Sequence, residues 1–247
     1  MNRAYFRFYE ELNDFLPPEK RKQTFEYYFE LNPSVKDAVE AIGVPHTEID
    51  LIIANGKSVS FDYLISDNDY ISVYPVFESL DISNIIHLRE KPLRECKFIA
   101  DSHLGKLARY LRIFGFDTIY EKKIGAEKII EIALKEKRTI LTRSVSLLKN
   151  KKITHGYFIR SENPVEQIKQ VIRQSDLYKL INPFTICPVC NGQLIETQKN
   201  EIINIIPAQT ALHHNQFKKC KSCQKIYWQG THWNKINSLL HEILRNA

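Results

Sequence analysis

Two Cys-x-x-Cys pairs, Cys187-Pro188-Val189-Cys190 and Cys220-Lys221-Ser222-Cys223, separated by 29 residues, constrain this chain more than any other feature. Each pair is a knuckle that turns two thiolates toward one point, and two knuckles set four thiolates at the corners of a tetrahedron. A closed shell of four is structural, and soft thiolates in that geometry take zinc; an iron-sulfur centre uses the same ligands. Four free or redox-active thiols are the reading without a metal, and the double spacing weighs against it. His213, His214 and His232 lie near in sequence, but four cysteines already fill such a site. Cys96 reads as a buried thiol, and five cysteines in 247 residues are too few for a disulfide scaffold. Thiolate ligands suit a reducing compartment. No apolar run approaches ~20 residues and Met1–Glu11 is not a basic-then-apolar leader, so the expectation is a cytoplasmic protein without a membrane partner.

Charge divides the chain. Residues 1–93 hold 9 Lys and Arg against 16 Asp and Glu, and the remainder holds 26 against 13. An acidic module of net −7 therefore precedes a basic one of net +13. Clustered positive charge supplies the sequence-independent part of nucleic-acid binding by releasing counterions from phosphates; the plainer reading is a basic surface kept for solubility.

In the acidic part, two aromatic-rich runs at 4–10 and 23–31, separated by Pro17 and Pro18, predict a β-hairpin. Asn32-Pro33-Ser34 opens a helix over Val35–Ile42, which Gly43 ends. A strand at 49–54, a turn at Asn55-Gly56 and a last strand at 70–75 follow. This order resembles a ubiquitin-like β-grasp module close to the small sulfur carriers. Those end in a free Gly-Gly, whereas this chain runs on through Phe77 and Glu78, so the module is expected to engage a protein partner. A connector over 79–94 holds the boundary.

Beyond it the pattern alternates. Strands are expected at 97–100, 118–120, 139–142 and 156–160, with helices at 104–114, 126–137 and 164–173, which implies a parallel sheet covered by helices. Asp101 follows the first of these strands, at the sheet edge where ligands bind in open α/β folds; the plainer reading is that Asp101 or Ser102 caps the next helix. Lys106, Arg109 and Arg112 recur every third residue opposite Leu104, Leu107, Ala108 and Leu111, a stripe suited to phosphates or simply to solvent. Arg143 ends the strand at 139–142.

The pieces Phe98-Ile99-Ala100-Asp101, Leu104 through Arg112, Gly115-Phe116-Asp117-Thr118, Ile140-Leu141-Thr142-Arg143, the two Cys pairs and Tyr227 through Trp233 together resemble the Mut-seven C-terminal RNase family. Bacterial members are often preceded by a ubiquitin-like module. The resemblance implies an α/β chain of three parts: a ubiquitin-like β-grasp domain over 1–80, a PIN-like parallel α/β RNase domain over 95–180, and a zinc ribbon with a C-terminal helix over 181–247. It also implies acids that hold Mg or Mn and activate water. Asp101 would hold the ion, helped by Glu127, Asp117 or Glu162, while Lys106, Arg109, Arg112, Arg143, Arg160 and His232 engage RNA. Two departures weaken that site: Ser144 stands where the family has Asp after Thr-Arg, and Gly125 and Ala126 fall near a second acidic position, with Glu127 next door. The expectation is an RNA-binding protein with metal-dependent cleavage reduced by those losses. The competing expectation is a non-catalytic adaptor that binds RNA and recruits a partner through its ubiquitin-like module.

Overall fold

The computed structural model describes residues 1–75 and 96–245; the expected connector and boundary at 79–94 lie outside the described residues. In the first part, β1 (Asn2–Phe8), β2 (Phe25–Phe29), α1 (Val35–Ile42), β3 (Leu51–Ala54), β4 (Lys57–Val59) and β5 (Tyr70–Tyr74) follow one another. They build a sheet of order β2-β1-β5-β3-β4 in which β1 and β5 run parallel. That is the β-grasp arrangement. Strict alternation in β1 sends Ala4, Phe6 and Phe8 inward, where Val35, Ala38 and Val39 of α1 close the core with Ile52 and Val73. Ser34 Oγ accepts from the Asp37 amide at 3.1 Å to start α1, and Gly43 at φ +130° ends it.

Two details depart from the expected hairpin order. The stretch between β1 and β2 holds two short 3-10 helices, Glu10–Phe15 and Pro18–Lys20. Buried Asn13 organises them, donating to the Phe8 and Glu10 carbonyls and accepting from the Lys22 amide. Second, Asn55 and Gly56, both at positive φ, close a true hairpin whose return strand is β4.

The chain continues through β6 (Phe98–Ala100), α2 (Gly105–Ile113), β7 (Thr118–Tyr120), α3 (Ala126–Glu136), β8 (Thr139–Thr142), α4 (Val145–Leu148), β9 (Gly156–Phe158) and α5 (Pro164–Gln174). β6 pairs parallel with β7, and β8 pairs parallel with β9, as the alternation of strands and helices requires. A last part comprises β10 (Leu194–Thr197), α6 (Lys199–Ile202), α7 (Ala208–His213), β11 (Phe217–Cys220), β12 (Ile226–Trp228) and α8 (Thr231–Arg245). Its three strands form an antiparallel ribbon of order β10-β11-β12.

By compactness the chain divides into two units, residues 1–95 with 125–159, and residues 96–124 with 160–247. In the first, every residue of Val44–Asp50 is buried, although this is only a turn leading into β3. The cover comes from the stretch between α4 and β9 and from β9 itself. His46 Nε2 lies 2.9 Å from the Ile153 carbonyl, Glu48 accepts from the Phe158 amide at 2.6 Å, and the Phe15 and Phe158 rings meet edge to face at 5.2 Å. In the second unit α2 packs on α5, the two turning Leu107, Leu111, Ile168, Val171 and Ile172 inward.

Candidate metal centre and nucleic-acid interface

The knuckles sit together at one end of the ribbon sheet: Cys187 and Cys190 precede β10, while Cys220 closes β11, opposite Leu194, and Cys223 follows it. Their four Sγ atoms lie within 4.8 Å of one another. Cys187 and Cys223 are 3.7 Å apart and Cys190 and Cys220 3.4 Å. A tetrahedral ion with sulfur bonds of about 2.3 Å needs sulfurs about 3.8 Å apart, so the donor set fits zinc. Gly192 makes this approach possible, because a Cβ there would come within 3.0 Å of Cys220 Sγ. Burial pushes the Cys187 thiol up, but bonds from the Tyr227 hydroxyl and the Cys190 and Val189 amides outweigh it and bring it down to about 6. Cys190 is pushed up to about 12, first by desolvation and then by the neighbouring thiols. One charge there opposes the next, and a dication relieves the conflict.

The ribbon is tied to the end of α2 by a residue expected elsewhere. Arg112 was expected on the phosphate-facing stripe, yet it is 5% exposed. Its Nε donates to the Thr118 carbonyl at 2.8 Å and its Nη1 to the Val189 carbonyl at 2.9 Å. A guanidinium so placed serves the fold and faces the cysteine cluster, whose Cys187 and Cys190 offset the burial that lowers its pKa. Asn191 completes the tie, accepting from the Thr118 amide at 2.9 Å and donating to Asp117 Oδ1 at 2.5 Å. Nothing in its spacing marked Asn191 beforehand.

Asp101 and Asp117 stand at opposite ends of the β6–β7 pair. The parallel register sets Phe98 against Thr118 and Ala100 against Tyr120, so Asp101 leaves the C-terminal edge and Asp117 enters the N-terminal one, on the order of 10 Å away along the strands. Asp117 thus meets Asn191 at the edge opposite the one that carries Asp101. Asp101 is 7% exposed, and its Oδ1 accepts from the His103 amide at 2.9 Å. It does not cap α2, which begins at Gly105 after an uncapped Leu104. Lys106 and Arg109 are exposed on that helix.

A β-grasp module, parallel strand pairs with helices between them and a four-cysteine ribbon thus follow one another along a single chain. A family model described as the Mut7-C RNAse domain matches residues 96–240, more than half of the chain. The chain belongs to the Mut7-C RNAse domain family. A second model, Mut7-C ubiquitin, matches residues 1–81 and covers the β-grasp module. No curated protein and no solved structure matches the chain.

Within the Mut7-C RNAse domain the remaining expected residues are scattered by element. Glu127 is exposed in the first turn of α3, and Glu162 is exposed in the turn before α5. Arg143 is half-buried directly after β8, and Arg160 is half-buried, its amide donating to Gln170 Oε1 at 3.1 Å. Ser144 caps α4, with its Oγ accepting from the Leu147 amide at 3.3 Å. The side chain of His232 lies outside the described ones. Among the described residues no helix is long and apolar enough to cross a membrane.

Proposed function

We propose that this member of the Mut7-C RNAse family binds RNA and cleaves it, weakly, at a divalent-metal site centred on Asp101. The observation that carries the reading is the place of Asp101: a nearly buried carboxylate at the C-terminal edge of parallel β6, oriented by the His103 amide and followed by a helix with exposed Lys106 and Arg109. Parallel sheets collect ligands at that edge. Mg²⁺ or Mn²⁺ held there would polarise a phosphate and supply an activated water. Asp101 is the ligand we assign, with Glu162 and Glu127 the acids next in line; Lys106, Arg109, Arg143 and Arg160 meet phosphates. Cleavage is weak because Ser144 and Ala126 stand where the resemblance asks for acids, and Asp117 is engaged elsewhere.

The remaining parts follow from that reading. Zinc fills the cysteine cluster, the RNase part has a PIN-like fold over 95–180, the β-grasp module over 1–80 recruits a protein, and thiolate ligands support a reducing, cytoplasmic setting. A second reading, the adaptor without catalysis, is favoured by the outer face of the β-grasp sheet. There Tyr5 stacks on Tyr70 and Tyr9 on Tyr74, with the guanidinium groups of Arg3 and Arg7 over the Tyr5 and Tyr9 rings.

One experiment separates the two. Labelled RNA is incubated with the natural protein and with Asp101→Asn in Mn²⁺, and cleavage and binding are read together. Cleavage that disappears in Asp101→Asn while binding persists supports the enzyme. Binding without cleavage in both makes the chain an adaptor, and absence of binding removes the RNA reading altogether.

A further inference from the structure

The ribbon carries a cavity of about 680 Å³, bounded by the far end of α2, the faces of β10–β12 and the first turns of α8. That volume lies in the range of about 300–1,000 Å³ typical of small-ligand sites. Its walls are aromatic: Phe184, Phe217, Tyr227, Trp228 and Trp233 all line it. Phe184 and Trp233 are already stacked, with centroids 3.4 Å apart and planes inclined by 15°, so they form a prepared flat platform. Four carboxamides, Gln198, Asn215, Gln216 and Gln229, line it as well, each a side chain that carries both donors and an acceptor; the Asn215 oxygen already accepts from Lys199 at 3.2 Å.

Its charge is balanced. Arg109 and Lys218 line the cavity, but so do Glu196 and Glu201, and the Lys218 ammonium already donates to the Phe184 carbonyl at 2.9 Å. A phosphate would find little net attraction inside. A flat, uncharged heterocycle with hydrogen-bonding edges would find stacking partners and amides, while the basic character of residues 94–247 draws the attached backbone to the surface outside. Unstacked bases are recognised in this manner, on aromatic platforms with amides reading their edges. A base inside a duplex has no free face to offer.

We propose that this cavity is a nucleobase site, taking about one or two unpaired bases of single-stranded RNA. The inference rests on the RNA-binding reading above and narrows its substrate to unpaired strands. It also gives Arg109 a second role, as an exposed residue of the cavity lining rather than only of an open helix face.

The chain contains only two tryptophans, Trp228 and Trp233, and both line the cavity, so their fluorescence reports on it directly. The full-length protein is titrated with a single-stranded RNA of about ten nucleotides and with the same strand in a duplex. Tryptophan emission is followed alongside the anisotropy of a label on the RNA. Quenching by the single strand and none by the duplex is expected. Trp233→Leu should weaken single-strand binding about 5- to 150-fold, and Gln229→Ala, an exposed position that carries little of the fold, about 2- to 10-fold. Metal content and thermal unfolding of each variant establish that the ribbon is intact; if Trp233→Leu fails that check, the quenching pattern and Gln229→Ala decide. Anisotropy that reports binding while emission stays unchanged and Gln229→Ala binds normally overturns the cavity but leaves RNA binding standing. Equal quenching by the duplex also overturns it, and no anisotropy change with either RNA removes both readings.

Discussion

Arg109 and Arg112 look equivalent in the sequence, three residues apart on one helix, and the structure gives them opposite roles. A helix turns about 100° per residue, so a three-residue repeat drifts by about 60° at each step. From Lys106 to Arg109 the drift stays in solvent; one step further carries Arg112 beside Ala108, into the buried face. The buried leucines were therefore legible, and the end of the stripe was not, because what receives Arg112 is the knuckle carbonyl of Val189, remote in sequence. Arg112→Ala leaves the Thr118 and Val189 carbonyls without that donor and is expected to cost about 3 kcal/mol in stability. Arg109→Ala should cost under about 0.5 kcal/mol and weaken RNA binding instead. Chemical denaturation beside an RNA-binding assay separates them, and equal stability losses would contradict the assignment. Ser144 makes a matching case. Asp caps a helix as well as Ser does, so Ser144→Asp should leave unfolding within about 0.5 kcal/mol of the natural protein; a larger loss would mean that the cap at α4 demands a hydroxyl.

At the scale of elements, what announced itself was what owes its shape to local chemistry. The Cys pairs, the Ser34 cap, the Gly43 stop and the Asn55-Gly56 turn each carry their own geometry, and each appears where the sequence put it. Missed elements are short: β4 spans Lys57–Val59 and α4 spans Val145–Leu148, too few residues for any period to show, and pairing or capping by neighbours decides them. The ribbon tests how far one local motif supports its surroundings. Cys187→Ser should abolish stoichiometric zinc, read by elemental analysis, and loosen the ribbon by on the order of 10 kcal/mol of lost metal-coupled folding. Through Arg112 and Asn191 the loosening should reach β7. Acid should act in the same direction on metal-free protein. Cys187 sits at about 6 against an ordinary value of 9; its thiolate therefore stabilises the fold fully above that ordinary value and loses the contribution as pH falls through about 6. Melting of the chelated protein that is flat between pH 9 and 6 would exclude that role.

For the molecule as a whole, the acidic first third of the sequence does not form a compact unit by itself. Residues 1–75 and 125–159 share one compact body, and the join is built from groups whose pairing no sequence period encodes. Both ring nitrogens of His46 face acceptors, Nδ1 at 2.5 Å from Glu40 Oε1 and Nε2 at 2.9 Å from the Ile153 carbonyl. Close by, the Lys149 ammonium donates to the Glu40 carbonyl at 2.6 Å. His46 and Glu48 are both at least nine-tenths buried, where a polar group deprived of its partner costs about 1–3 kcal/mol. His46→Ala removes the bridge and strands the buried Ile153 carbonyl and the partly buried Glu40 carboxylate, so it should lower stability by about 1–3 kcal/mol. If the unit is cooperative, the loss is shared: amide exchange should quicken in β8 and β9 as much as in the β-grasp sheet. The comparison variant is Lys151→Ala, because Lys151 meets Asp37 across the same join but with both side chains mostly exposed, at 3.5 Å, a pair worth at most about 1 kcal/mol. Faster exchange confined to residues 1–75 in His46→Ala would mean that the β-grasp module folds as an independent bead and that the buried turn at Val44–Asp50 is only resting on its neighbour.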